Sequence, residues 1–164
     1  MYDGEKLQIL LQKEKNIILK DLFSYKFSNP AEKFEFLISI RHEVDLEAYA
    51  MFVRMLTQMN TQNVPLEFLL KAYEGLKPND LMSKDEIDRL LALPDELTIY
   101  RGTDASEYYP RISWTLLESK ARFFENGRLY RAIVNKRDIF AYYSINTKEE
   151  EIIAHVTKNF DVIL

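Results

Sequence analysis

Residues 93–101 read LPDELTIYR, and the fold turns on them. Before Leu93 the apolar residues recur at three-and-four spacing, which marks one face of a helix. After Glu96 they come in short runs rich in β-branched and aromatic residues between turn signals, which mark strands. The sequence therefore predicts an α+β protein with an all-helical amino-terminal half, residues 1–94, and a β-rich carboxy-terminal half, residues 95–164.

Upstream of this boundary, Ser83-Lys84-Asp85-Glu86 is a start signal for a helix containing Ile87, Leu90 and Leu91. Pro65 opens an earlier helix that Gly75 closes. A helix from about Asp45 to Met59 carries Tyr49, Phe52, Val53, Leu56 and Met59 on its expected buried stripe. Pro30 suits the first turn of one running through Phe34, Leu37 and Ile38. Leu7, Leu10, Leu11, Ile17, Ile18 and Leu22 hold the same spacing near the start.

Downstream, strands are expected at Leu97 to Tyr100, Arg111 to Thr115, Leu129 to Val134, Ile139 to Tyr143, Glu150 to Val156 and Phe160 to Leu164. One helix intervenes, Leu117 to Glu125, with Ala121 and Phe124 facing inward. A β-rich half this short is expected to pack against the helices.

Composition narrows the function. With 164 residues the chain can bury one good core or two small ones. No window approaches the roughly 18 consecutive apolar residues of a membrane span, and the start of the chain has charges inside its apolar pattern. A soluble protein without a secretory leader is expected, and the lack of cysteine fits a reducing cytoplasm while excluding thiolate chemistry. Two histidines, His42 and His155, do not make a histidine-rich zinc site, so no metal is expected. A net charge of −4 argues against broad gripping of nucleic acid. Arg122, Arg128, Arg131, Lys136 and Arg137 offer either a site for one small anion or a solvated face.

Three polar features interrupt the β-rich half: Arg101 after the first apolar run, Ser113-Trp114-Thr115 on the second, and Glu149-Glu150-Glu151 before Ile152-Ile153. In that order, with a helix holding Ala121-Arg122-Phe123-Phe124 between the last two, they resemble the arginine-serine-glutamate class of ADP-ribosyltransferases, nearest to the compact members from bacteria and their phages. The likeness covers roughly Leu97 to Val156.

The resemblance implies a split β-sheet, NAD as substrate, and transfer of ADP-ribose to a side chain of a protein partner. It makes Arg101 the residue that holds the NAD phosphate and supports the site, and Ser113 the one that orients a catalytic glutamate. Glu151 is that glutamate if the family register holds, with Glu150 the alternative. Glu149 becomes the group that accompanies arginine acceptors. Gly102, Ser113, Trp114, Thr115 and Tyr109 fall along the NAD-binding surface, Trp114 packing inward. Tyr142 or Tyr143 would meet the acceptor, and the helical half would recognise the target, complete the cleft or block it. A role in phage takeover of a host, in anti-defence or as a toxin follows family habit. An inactive binding module and an NAD glycohydrolase are the competing readings.

The chemistry accounts for the residue types independently. Nicotinamide leaves a positively charged ring as a neutral molecule, so one carboxylate suffices to stabilise the ribose as it takes on oxocarbenium character. The forked donors of arginine match phosphate oxygens. On an extended strand Glu149 and Glu151 face one side and Glu150 the other.

Overall fold

The structure, a computed structural model, describes residues 29–59, 61, 63–106, 111–144 and 150–163. The helix expected through Leu7 to Leu22 lies outside them. The chain divides into two compact units, Met1–Leu81 and Met82–Leu164. The division falls before the helix that the sequence assigns to the amino-terminal half, because that helix is tied to the sheet by polar contacts.

In the first unit, α1 (Pro30–Ser39) starts where Asn29 accepts a hydrogen bond from the Ala31 amide and proline occupies the first turn. It buries Phe34 and Leu37. Helix α2 (Leu46–Met59) buries Ala48 through Arg54 together with Leu56 and Thr57, so it is covered all round and not along a single stripe. Met59, expected inward, stands exposed at its end.

The buried polar side chains on α2 reach hydrogen-bond partners. Thr57 Oγ1 donates to the Val53 carbonyl at 2.8 Å and accepts from the Tyr73 hydroxyl at 3.0 Å, while Arg54 donates to the Leu81 carbonyl at 3.2 Å. Left unpaired, each such group would cost about 1–3 kcal/mol. Helices α3 (Leu66–Tyr73) and α4 (Pro78–Leu81) complete the unit. Pro65 precedes α3, and Gly75 follows it in the left-handed region at φ 72.

The second unit opens with α5 (Lys84–Ala92) and continues through β1 (Glu96–Asp104), β2 (Ser113–Thr115), α6 (Glu118–Phe124), β3 (Gly127–Asn135), β4 (Ala141–Tyr143), β5 (Glu151–Ile153) and β6 (Phe160–Val162). The strands form one six-stranded antiparallel sheet in the order β4-β5-β2-β1-β3-β6. Helices and an antiparallel sheet make the α+β class that the sequence predicts.

Strand β1 is longer than expected. It pairs with β3 from Glu96↔Asn135 to Asp104↔Gly127, so Arg101 and Gly102 lie within the strand and not at its end. Gly102, which the resemblance puts along the NAD-binding surface, is where α6 crosses β1. A Cβ there would lie 1.9 Å from the Ala121 carbonyl oxygen and 2.6 Å from the Glu125 amide nitrogen. Only hydrogen fits. Ala121 is buried as expected, whereas Phe124 is exposed with Phe123, their rings edge-on at 5.4 Å.

Helix α5 carries the capping box that Ser83 and Glu86 announce. Its last turn is closed by Lys136, whose ammonium donates to the Leu91 and Leu93 carbonyls at 3.2 and 2.7 Å. Several of the other basic residues are also engaged locally. Arg122 pairs with Glu118, Arg131 with Asp161, and Arg137 with Asp138, which favours a solvated face over one anion pocket. No helix among the described residues is long and apolar enough to cross a membrane.

Candidate active site

The register of β2, β4 and β5 decides which side chains meet. Thr115 and Tyr143 both lie opposite Glu151, and Ser113 lies opposite Ile153. Paired residues share a face and alternate residues return to it. Ser113, Thr115, Tyr143 and Glu151 therefore share one face, and Trp114, Tyr142 and Ile152 the other.

Ser113 Oγ donates to Glu151 Oε1 at 2.6 Å. That length belongs to a charge-assisted bond from hydroxyl to carboxylate, of the kind worth about 1.5–3 kcal/mol when sheltered. Here both residues are half-buried, so the carboxylate is oriented yet open to a ligand. On its other side, the Ser113 carbonyl accepts from Arg101 Nη1 at 2.7 Å. Three residues far apart in sequence thus form one chain across the adjacent strands β1, β2 and β5.

Arg101 makes its contact at the weakest joint of the sheet. Among the described residues β1 pairs with β2 only at Tyr100↔Thr115, whereas its ladder with β3 runs its full length. The guanidinium bridges β1 and β2 where ladder bonds do not.

The remaining expected residues divide. Thr115 is buried and its hydroxyl oxygen accepts from the Leu117 amide at 3.1 Å, which shapes the turn into α6. Trp114 is turned to the opposite face and 2% exposed, its indole N–H donating to the Ala154 carbonyl at 3.2 Å. It braces β2 from within the core. Gly102 likewise serves the packing of α6. Tyr142 and Tyr143 are both buried in the core. His42 and His155 are exposed, His155 beyond the end of β5 and not on a strand face. Tyr109 and Glu149 lie outside the described residues.

Glu150 departs from the extended geometry expected of it. Its φ of 47 is left-handed, an uncommon state for a residue with a Cβ, and β5 begins only at Glu151. The alternation that would put Glu149 and Glu151 on one side stops at this residue. The carbonyl of Glu150 accepts from the Leu116 amide at 3.1 Å, and its carboxylate meets the Tyr142 hydroxyl at 3.5 Å. Burial pushes the Tyr142 phenol above its ordinary range, a hydrogen bond with Ser144 pulls it back, and Glu150 adds to the rise. Between the two candidate glutamates, Ser113 holds Glu151, while Glu150 is engaged with Tyr142.

Among the described residues no group of three or more histidine, aspartate or glutamate side chains is placed to hold a metal ion. Comparison of the chain with protein-family models, curated proteins and solved structures returns no significant match.

Proposed function

We propose that the protein is an NAD-dependent mono-ADP-ribosyltransferase of the arginine-serine-glutamate kind, acting on a side chain of a protein target. The observation that carries this reading is the chain from Arg101 to the Ser113 carbonyl and from the Ser113 hydroxyl to Glu151. It joins the three motif residues that sequence order alone suggested.

In this reading the C–N bond between ribose and nicotinamide breaks with its electron pair going to the ring nitrogen. Nicotinamide leaves neutral and needs no general acid. Glu151 stabilises the positive charge that develops on the ribose, and it does so more in the transition state than before it, because Ser113 fixes its angle in advance. The acceptor then bonds to the ribose carbon and gives up a proton, for which Glu149 is the candidate base. Arg101 holds the Ser113 carbonyl and supplies a fixed positive charge for the pyrophosphate. Arginine is the favoured acceptor, and a bacterial host or rival protein the favoured target; anti-defence and toxin roles are the settings such an enzyme would serve.

The test incubates the protein with labelled NAD and cell lysates, following nicotinamide release and transfer of label to protein. Both should occur, and Glu151→Gln should abolish them while leaving NAD affinity intact. Release without protein labelling would make it a glycohydrolase. Neither signal across several lysates would leave the binding module. Labelling that survives in both Glu151→Gln and Glu150→Gln would show the site to be elsewhere.

A further inference from the structure

Glu86 is a fully buried carboxylate that the proposed chemistry does not use, with 0% of its surface exposed. A carboxylate at that depth is costly unless donors surround it. Its two oxygens are divided. Oε2 accepts from the Ser83 amide at 2.9 Å and the Ser83 hydroxyl at 3.1 Å, which completes the capping box. Oε1 accepts from the Ser144 amide at 3.1 Å, a contact that no helix cap requires.

Ser144 directly follows β4, the outermost strand on its side of the sheet. Two residues earlier the Tyr142 amide donates to Met82 Sδ at 3.1 Å, and Arg89 donates to the Ser144 hydroxyl at 3.3 Å. Side chains of Met82, just before α5, and of Glu86 in its first turn thus take up amides along the β4 edge, where an open strand would leave them to solvent. The residue between these amides, Tyr143, pairs with Glu151. Glu86 therefore bonds the residue next to the one that pairs with the candidate catalytic carboxylate. Glu150, just before Glu151, is held in its left-handed conformation by Leu116 and Tyr142.

We propose that Glu86 is a positioning residue for Glu151, acting through the β4 edge; its meaning for catalysis rests on the function proposed above. Amide hydrogen exchange on the full-length protein tests it. Glu86→Ala should speed exchange at Ser144 and over Glu151–Ile153 by at least about tenfold, with β1 and β3 unchanged. Ser83→Ala, which removes only the cap hydroxyl, should affect the first turn of α5 alone. Identical patterns in the two variants, or an unchanged β5, would overturn the proposal. If Glu86→Ala does not fold, Glu86→Gln keeps one acceptor oxygen and should give the same pattern at smaller amplitude.

In turnover, Glu86→Ala should lower kcat about tenfold at constant KM for NAD. A raised KM with unchanged kcat would contradict positioning. If the wild-type protein cleaves no NAD, the proposed function fails while the exchange pattern still decides whether Glu86 sets β5.

Discussion

Replacing Gly102 with alanine separates two accounts of this residue. The family likeness would have it approach a ligand, whereas the structure uses it to admit α6. A Cβ at Gly102 meets backbone atoms of α6 and its end, at 1.9 Å for the Ala121 oxygen, 2.6 Å for the Glu125 nitrogen and 2.9 Å for the Ala121 carbon. To bring 1.9 Å up to the 3.4 Å where ordinary contact begins, the helix must withdraw by about 1.5 Å. No side-chain rotation can relieve this, since the clashing atoms are main chain.

Overpacking of this kind costs ~1–3 kcal/mol and sometimes more. The lower chain entropy of alanine returns about 0.5–1 kcal/mol in a strand. Lost burial of Ala121 works in the other direction, so a net loss of ~2–3 kcal/mol is expected. Trp114 is the one tryptophan of the chain and is buried in the second unit, so its fluorescence in urea reports that unit's unfolding. With a slope of ~1–3 kcal/mol per molar urea, the midpoint should fall by roughly 0.7–3 M. An unchanged midpoint combined with weakened NAD affinity would refute the packing account and restore Gly102 to the ligand surface.

Other outcomes follow from the same geometry. Ser113→Ala removes the donor that orients Glu151 and should lower NAD turnover by ~10²-fold, with little change in NAD affinity by equilibrium binding. Arg101→Ala should weaken NAD use and also loosen the second unit in urea, because its guanidinium bridges β1 and β2. The Tyr142 phenol is raised in the folded state, so the stability it contributes is complete below its ordinary value of about 10 and is lost as pH rises through the raised value. Tyr142→Phe should reduce alkaline destabilisation above about pH 10, read as the pH dependence of the urea midpoint. A chain beginning at Met82 should give a cooperative unfolding transition. One beginning at Asp95 should be far less stable, since it lacks Met82 and the buried Glu86 that occupy the β4 edge.

Much of the fold was legible because period-3.6 and short β-prone stretches seldom imitate each other over this length. The end of β1 was not, since Arg101-Gly102-Thr103-Asp104 has the composition of a turn and becomes strand only through its partner β3. The helix at Lys84–Ala92 could be read, but its allegiance to the sheet could not: a glutamate in a capping box looks solvated until its second oxygen finds Ser144. Within the candidate site, motif order singles out Ser113 and Glu151, and the fold joins the two by a hydrogen bond. The left-handed turn at Glu150 had no signal, because three consecutive glutamates look alike and the conformation depends on Leu116 and Tyr142. Trp114, Tyr142 and Tyr143 were ambiguous for the usual reason that an aromatic side chain suits a core and a binding surface equally well.

The anchoring of α5 also bears on how the second unit can vary. An apolar stripe tolerates a helix sliding by a turn, since one leucine can fill the hole of another. This helix instead has a carboxylate matched to one amide near its start, and carbonyls matched to Lys136 at its finish. A single residue inserted between Glu86 and Leu93 would rotate one of these matches out of reach by about 100°. Substitutions on the exposed face of α5 should therefore be borne far more easily than any change in its length.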